Sequence, residues 1–359
     1  MIEPLTFARL QAIGLTARQT ASWAATPLPP GTRLMRVVEL QREGLVLHDG
    51  EHVHAARPLP ALLQHLQSQA DALAVGDWVA AERNPWGEWW ASRRLPPTSQ
   101  IARRLHDGRD KVTRVVIVAN VDTVLLAMGL DGDYNLRRLE RYLALVRLAG
   151  VAAVVVLTKA DLCADAEART RAVRAALPAD VAVLALNALG DAPRELLAPW
   201  LAPGQTLVLL GSSGVGKSTL TNALVGEAVQ ATGGTRDGDQ RGRHTTTTRS
   251  LHRLAGGACL IDTPGMRTLR LDGDPAALGG VFDDVAALAP ACRFRNCRHD
   301  GEPGCAVRAG VGDERLKNFH KLRREAERDT TSATQRREQL ALWKARGRAA
   351  RVNVKAKRG

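Results

Sequence analysis

The stretch Gly211-Ser212-Ser213-Gly214-Val215-Gly216-Lys217-Ser218 matches the phosphate-loop pattern G-x-x-x-x-G-K-[ST]. An apolar strand is predicted directly before it, over Thr206–Leu210, and a helix begins behind it near Thr219. Glycines let backbone N–H groups turn inward around phosphate oxygens, and the start of the helix adds partial positive charge. We therefore expect the loop to bind a nucleotide, with Lys217 on the β- and γ-phosphates and Ser218 on Mg²⁺.

From about residue 114 up to this loop, the chain alternates between apolar strand-like runs and helical stretches. The predicted strands are Val115–Ala119, Thr123–Ala127, Val151–Leu157, Val181–Leu186 and Thr206–Leu210, and the predicted helices are Leu136–Ala149, Ala164–Ala176 and Arg194–Leu201. Near-continuous Val, Leu and Ala runs separated by helices predict a parallel sheet that is buried on both faces.

A second acidic motif, Asp262-Thr263-Pro264-Gly265, follows the strand-like residues Cys259–Ile261. A carboxylate at the end of a neighbouring strand is where a phosphate-loop protein holds Mg²⁺, and the Gly265 N–H could contact the γ-phosphate. Residues 231–250 are almost without apolar side chains and contain His244 followed by four threonines. We expect a switch loop that orders on Mg²⁺ through a threonine hydroxyl; the alternative is a solvated surface loop.

Two short motifs indicate which base is bound. Thr158-Lys159-Ala160-Asp161 resembles the N/T-K-x-D guanine motif, in which the Asp161 carboxylate accepts the N1–H and N2–H₂ groups of guanine. Adenine offers no such pair of donors, so a carboxylate there rejects it. Lys159 can lay its stem along the base, and Thr158 stands where asparagine is usual. Asn187-Ala188 resembles the S-A-x motif, whose Ala188 N–H contacts guanine O6, with Asn187 in place of serine.

The order of these motifs along the chain is unusual. GTPases commonly run from the phosphate loop through D-x-x-G to N-K-x-D and S-A-x, whereas here the last two come first. The cyclic order is unchanged, which indicates a circular permutation. Because the site is built from loops at one edge of a parallel sheet, chain order does not alter it, provided that the joined ends are close in space.

A metal site is predicted further along, at C-x₄-C-x-H-x₅-C. Its ligands are Cys292, Cys297, His299 and Cys305, which lie among turn-forming residues. Three thiolates and one imidazole at this spacing indicate a closed structural zinc site, because four protein ligands leave no open position for catalysis. A loop-rich segment of this kind needs the metal for its stability.

The N-terminal third differs from the rest. Residues 1–30 have weak periodicity and predict a poorly ordered arm. The following short strands, separated by turns, are predicted over Leu34–Glu39, Gly44–Leu47, Glu51–Ala55, Asp77–Ala81 and Glu88–Ser92, with a helix over Ala61–Ala70. Five strands and one helix fit an OB-fold barrel, with an SH3-like barrel as the close competitor. Trp86, Trp89 and Trp90 lie at the last strands of this barrel and are candidates for RNA contact. Trp89 and Trp90 should face opposite sides of a strand, so that one fills the core and the other is available to stack on a base. The alternative is that both are core or packing residues.

The chain of 359 residues carries a formal charge of +13. Residues 313–359 hold 15 Lys and Arg against 6 Asp and Glu, which places +9 of that excess at the C-terminal end. This basic tail begins with a helix in which Leu316, Phe319 and Leu322 recur every three residues. We expect this helix to dock on the predicted zinc-binding segment, and the residues beyond it to become ordered only on RNA.

No apolar run approaches the ~18 residues of a membrane span. The N-terminus lacks signal-peptide features and five cysteines form no disulfide framework, so we expect a cytoplasmic protein.

Taken together, the barrel, TKAD before GSSGVGKS, GRHTTTT, DTPGM and CRFRNCRHDGEPGC resemble the circularly permuted small ribosomal subunit biogenesis GTPase family, RsgA (YjeQ/EngC). The resemblance covers about residues 32–320. It implies an N-terminal OB-fold, a permuted GTPase domain and a zinc-binding domain, to which the residues themselves add the basic helical tail. It also implies GTP hydrolysis late in maturation of the small subunit, stimulated by that subunit, and it makes Thr246 the magnesium threonine.

Met266 stands where many GTPases carry a glutamine that orients the attacking water, and methionine cannot hydrogen-bond strongly to water. We therefore expect slow intrinsic hydrolysis and His244, as the resemblance also suggests, in the orienting role; contact of His244 with RNA or solvent is the alternative.

The expected division is an arm over residues 1–31, a barrel over 32–98, a GTPase domain over 99–280, a zinc-binding domain over 281–328 and a tail over 329–359. We expect a monomer that binds GTP or GDP, the small subunit and its rRNA. The alternatives are an ATPase, a large-subunit biogenesis GTPase, and an RNA-binding scaffold whose nucleotide site is only regulatory.

Overall fold

A computed structural model describes residues 4–24, 28–106, 112–226, 249–264 and 275–330 of the chain. Its first elements are two short helices, α1 (Pro4–Gln11) and α2 (Ala17–Ser22). The prediction of a poorly ordered arm was therefore wrong. Leu10, Ile13, Leu15 and Trp23 are buried and pack with Leu34, Trp78 and Leu95 of the barrel region. Ile13, Leu15 and Trp23 lie in turns beside the helices, so they leave no helical period in the sequence.

The next segment is a closed five-stranded barrel. Its elements are β1 (Arg33–Leu40), β2 (Leu45–His48), β3 (Val53–Pro58), α3 (Pro60–Ser68), β4 (Trp78–Arg83) and β5 (Trp89–Arg94). The strands pair in the order β1-β2-β3-β5-β4, and β4 returns to β1. Only the β3–β5 pair within the barrel is parallel, and Leu62 and Leu66 of α3 pack into the core. The OB-like barrel is confirmed, with each predicted strand found to within a few residues.

A separate two-stranded antiparallel ribbon follows, formed by β6 (Gln100–His106) and β7 (Val112–Ala119). The sequence did not predict β6, and it placed Val115–Ala119 in the parallel sheet. An apolar run indicates a buried strand but does not reveal which strand it pairs with.

The central part is a six-stranded sheet with helices on both faces. Its elements are β8 (Thr123–Gly129), α4 (Leu136–Leu148), β9 (Ala152–Thr158), α5 (Ala166–Ala176), β10 (Ala182–Ala185), α6 (Ala192–Leu197), β11 (Thr206–Gly211), α7 (Lys217–Val225), β12 (Ser250–Arg253) and β13 (Cys259–Asp262). Alternate residues of these strands supply two apolar clusters, one for each face. The predicted sheet buried on both faces is confirmed.

The strand order is β10-β9-β8-β11-β13-β12, in which all strands are parallel except the edge strand β12. The strands that precede the phosphate loop in the sequence thus lie on one side of β11, and those that follow it lie on the other. The segment with α6 leads from the edge strand β10 back to the central strand β11. A single pair, Glu39 with Ser250, joins β12 to β1 of the barrel.

The C-terminal elements are a 3-10 helix (Pro275–Gly280), α8 (Asp283–Leu288), α9 (Ala306–Gly310) and α10 (Asp313–Thr330). Leu316 and Leu322 of α10 are buried, as the spacing predicted, and Phe319 meets Phe282 edge to face at 5.3 Å between ring centroids. The helix docks on the zinc segment through His320 and also on α4 of the central sheet, which the sequence did not predict. None of the helices in the described part of the chain combines the length and apolar character needed to cross a bilayer.

Candidate functional site

The phosphate loop joins the buried strand β11 to helix α7. Gly216 has φ +93°, a left-handed conformation that favours glycine, and α7 begins at the next residue, Lys217. The Lys217 ammonium is buried and donates to the carbonyl oxygens of Ser212 at 2.6 Å and Gly211 at 3.2 Å. Burial lowers its pKa to about 8, against the opposing charges of Asp262 and Asp133. The lysine is thus folded over its own loop, with its charge directed at the space that the loop encloses.

The acidic motif lies beside this loop because β13 is the parallel neighbour of β11. Asp262 ends β13 and has no exposed surface. Thr263 is equally buried, and its hydroxyl donates to the Leu209 carbonyl at 2.6 Å, which ties the end of β13 to β11. Gly265, His244 and Thr246 lie outside the described residues.

The guanine motif is bonded directly to the phosphate loop. The Thr158 hydroxyl, fully buried, donates to the Val215 carbonyl at 2.6 Å. Lys159 has a left-handed backbone (φ +59°), and its ammonium donates to the Gly214 carbonyl at 2.9 Å. Thr158 stands where asparagine is usual, yet it still makes a side-chain bond that links the two loops.

Asp161 of this motif is exposed, and the Ala160 N–H donates to the Leu186 carbonyl at 3.4 Å. That bond brings the end of β10 beside the motif. Asn187 and Ala188 follow β10, with Ala188 buried and the Asn187 side chain accepting from the Leu189 N–H at 2.9 Å. The structure therefore gathers residues 158–161, 187–188, 211–219 and 262 at one edge of the sheet.

Two acidic residues at this edge were missed in the sequence. Asp131 and Asp133 lie between β8 and α4. The Asp133 carboxylate accepts from the Ser212 hydroxyl at 2.6 Å and pairs with Arg138 at 2.6 Å, and Asp131 accepts from the Lys159 ammonium at 2.6 Å. The available signal was their position, because they directly follow a parallel strand whose carboxyl end points to the ligand edge.

The four proposed zinc ligands also converge. The ligand atoms of Cys292, Cys297, His299 and Cys305 lie within 4.8 Å of one another. The Cys292 and Cys305 sulfurs are 3.8 Å apart, and they lie 3.6 and 3.5 Å from Nδ1 of His299. A tetrahedron with Zn–S of about 2.3 Å and Zn–N of about 2.05 Å has edges of about 3.8 and 3.5 Å. The donor set and its spacing therefore fit Zn²⁺.

The local backbone supports this cluster. His299 has φ +62°, and the His320 ring nitrogen lies 3.1 Å from the His299 carbonyl oxygen, so α10 holds the ligand loop. Cys305 caps α9 and accepts from the Arg308 N–H at 3.4 Å. The backbone N–H of Val307, at the start of the same helix, lowers the pKa of the Cys292 thiol. This donor favours the Cys292 thiolate that a metal requires, whereas desolvation raises the pKa of the Cys297 thiol to about 11.

The tryptophans Trp86, Trp89 and Trp90 near the end of the barrel differ in exposure. Trp89 is in the barrel core and Trp90 is half-buried, as the alternation along β5 predicted. Trp86, at the turn between β4 and β5, is 84% exposed. Asn84 orders this turn, since its side-chain oxygen accepts from the N–H groups of Trp86 and Glu88 at 3.1 and 2.8 Å.

Comparison with known proteins gives consistent results. The family model described as RsgA GTPase matches residues 95–272. The small ribosomal subunit biogenesis GTPase RsgA of Xylella fastidiosa (strain 9a5c) is 43% identical over 339 residues, covering 90% of this chain and 96% of the relative. The protein of the same name from Xanthomonas oryzae pv. oryzae (strain PXO99A) is 44% identical over 312 residues, covering 85% and 84%.

Two solved structures share the fold. YjeQ from Thermotoga maritima superposes with a TM-score of 0.58 at 23% identity, covering 82% of this chain and 98% of that one. YloQ, described as a circularly permuted GTPase, gives 0.56 at 21% identity, covering 84% and 97%.

Proposed function

The chain belongs to the RsgA GTPase family, and we therefore propose that it hydrolyses GTP to GDP and phosphate during late maturation of the small (30S) ribosomal subunit. The observation that carries the proposal is the convergence of a phosphate loop, a buried aspartate and a guanine motif at one edge of a parallel sheet. The relatives are named for small-subunit biogenesis and match nearly the whole chain, which supports the ribosomal role.

We propose that residues 211–219 hold the phosphates of GTP. Lys217, which bonds to its own loop, would exchange the Ser212 and Gly211 carbonyls for β- and γ-phosphate oxygens. Ser218 and Thr246 would hold Mg²⁺ near Asp262, where the ion would neutralise charge on the β- and γ-phosphates. The burial of Asp262 beside Lys217 supports this placement.

Guanine recognition is assigned to Asp161, Lys159 and Ala188. Asp161 would accept the N1–H and N2–H₂ donors of the base, and the Ala188 N–H would donate to O6. The bonds from Thr158 and Lys159 to the phosphate loop fix this base site relative to the phosphate site. A base site held in this way favours GTP and GDP over adenine nucleotides.

For catalysis, we assign the orientation of the attacking water to His244, because Met266 cannot do it. His244→Ala should reduce subunit-stimulated turnover while leaving GTP affinity nearly unchanged. Fluorescent-nucleotide titration beside a phosphate-release assay separates the two, and a comparable loss of binding would exclude the assignment.

We further propose a structural Zn²⁺ held by Cys292, Cys297, His299 and Cys305. The distances among the Cys292, Cys305 and His299 ligand atoms match the edges of a zinc tetrahedron, which supports the proposal. Ribosomal RNA would contact the barrel over residues 32–98 and the basic tail over 329–359, flanking a GTPase domain over 99–280 and a zinc-binding domain over 281–328. As a subunit assembly factor, the protein would act in the cytoplasm, as a monomer.

The test is the GTPase rate of the full chain alone, with purified small subunits and with purified large subunits. We expect marked stimulation by small subunits only, and its loss in Lys217→Ala. Stimulation by large subunits would favour a role in their biogenesis. Turnover that Lys217→Ala leaves intact, or that stays absent with ribosomes, would favour an RNA-binding scaffold with a regulatory nucleotide site.

A further inference from the structure

The loop between β8 and α4 holds a carboxylate against the lysine of the guanine motif. We propose that Asp131 is a positioning residue for guanine recognition, which acts by fixing the Lys159 side chain across the floor of the base site. The inference rests on the proposed GTP binding and adds to it a residue that neither the phosphate loop nor the guanine motif contains.

The geometry at Lys159 shows a side chain held at two points. Its ammonium donates to Asp131 at 2.6 Å and to the Gly214 carbonyl at 2.9 Å, and the side chain is only 21% exposed. Lys159 also has a left-handed backbone, with φ +59°. The two contacts hold the ammonium between the β8–α4 loop and the phosphate loop, so the aliphatic stem spans from the guanine motif to these loops.

Asp131 is itself anchored. Its other carboxylate oxygen accepts from the Asp133 N–H at 3.0 Å, and Asp133 is bonded to the Ser212 hydroxyl and to Arg138. Partial burial works against its charge, but the hydrogen bond from Lys159 prevails and lowers the pKa of Asp131. The carboxylate is therefore ionised at neutral pH and fixed to the same loop that binds phosphate.

A lysine side chain has four rotatable bonds, and ordering them on binding costs affinity. Because the Lys159 side chain is already held at both ends in the folded protein, its conformational entropy is lost on folding and not on nucleotide binding. The base therefore binds to a preorganised surface. The Asp131–Lys159 pair is partly exposed, and such pairs contribute little to folding stability. Its effect should therefore appear in nucleotide affinity rather than in the unfolding midpoint.

The experiment compares Asp131→Asn with wild type, using fluorescent GDP and GTP analogues. Asparagine keeps an acceptor for the Asp133 N–H and removes the charge that holds Lys159. We expect the dissociation constants for both nucleotides to rise by the same factor, about 3- to 10-fold. The matched control is Asp180→Asn, which removes the negative charge from the Arg147–Asp180 pair (2.5 Å) at the C-terminal end of α4 and should leave affinity unchanged.

A double-mutant cycle with Lys159→Met separates positioning from a structural role, because methionine keeps the stem but loses the ammonium. In that background Asp131→Asn should have no further effect. Additive losses, an unchanged affinity in Asp131→Asn, or an equal loss in Asp180→Asn would overturn the inference. Failure of wild type to prefer GTP over ATP would instead refute the proposed function, so the two failures are distinguishable.

Discussion

Replacing the buried Arg36 by methionine should destabilise the fold far more than replacing an exposed arginine of the same barrel strand. Arg36 lies on β1 with no exposed surface. Its guanidinium donates to the carbonyls of Ile13 at 2.5 Å, Asn120 at 3.1 Å and Gly76 at 3.3 Å, and to the Thr206 hydroxyl at 2.9 Å. The acceptors belong to the turn between the two N-terminal helices, to the turn before β4, and to β11 of the central sheet together with the connection from β7 to β8. One side chain thus joins three parts of the molecule.

The magnitude follows from the acceptors that methionine cannot satisfy. The carbonyls of Ile13 and Asn120 would lose a buried donor, at about 1–3 kcal/mol each, whereas the Gly76 carbonyl keeps its bond from the Asn120 amide at 3.0 Å. Removing the buried cation also removes the free-energy cost of its desolvation, which favours the folded variant. The same change takes a neighbouring positive charge away from the buried carboxylates of Asp77 and Asp122, which disfavours it. We expect a net loss of about 3–5 kcal/mol, as when one partner of a buried charged network is removed.

Urea unfolding followed by tryptophan fluorescence is a suitable assay, because Trp78 lies 5.3 Å from the Arg36 guanidinium and 6.2 Å from Trp23. The control is Arg33→Met on the same strand, since Arg33 also lies over a tryptophan ring (Trp89, 5.7 Å) but is exposed. If Arg36→Met lay within 1 kcal/mol of Arg33→Met, a central role for this guanidinium in joining the parts would be refuted.

Three further predictions concern the sites themselves. Cys305→Ser should reduce bound zinc from about one equivalent to none by elemental analysis, while Cys163→Ser retains it; equal zinc in both variants would contradict the ligand set. Because the pKa of Lys217 is lowered to about 8, the charged fraction falls as pH rises, and nucleotide affinity should fall about fourfold between pH 7 and 8.5; a flat titration would argue against a phosphate-binding lysine. Thr158→Val, which loses the bond to the Val215 carbonyl, should weaken GDP binding about 3- to 10-fold, and Thr158→Ser should not.

The parts of the fold that the sequence predicted are those in which a local pattern has one structural meaning. The phosphate loop is such a pattern, because its glycines, lysine and serine are needed at fixed spacing between a strand and a helix. The strands of the central sheet are long apolar runs, and parallel strands carry their loops to a common edge. The convergence of Cys292, Cys297, His299 and Cys305 was predictable because three cysteines and a histidine within 14 residues have few uses other than metal binding.

The parts that escaped prediction depend on partners distant in the chain. Arg36 is one of 42 arginines, and nothing around it in the sequence distinguishes a buried guanidinium from an exposed one. Ile13 and Leu15 are buried against the barrel and the sheet although they lie in a turn. Asp131 acquires its role only through Lys159, 28 positions later. In each case the deciding contact is tertiary, and local propensity carries no information about it.

The circular permutation leaves the nucleotide site unchanged but alters what is attached to it. Strand β11, which leads into the phosphate loop, lies between β8 and β13. In the chain, β8 follows the barrel and the β6–β7 ribbon, and β13 precedes the proposed zinc-binding segment and α10. In the common motif order the sheet would instead begin at β11 and end at β10. Permutation thus connects the barrel and the proposed zinc-binding segment to the two strands that flank the phosphate loop, so that the units proposed to contact RNA are attached next to the proposed γ-phosphate site.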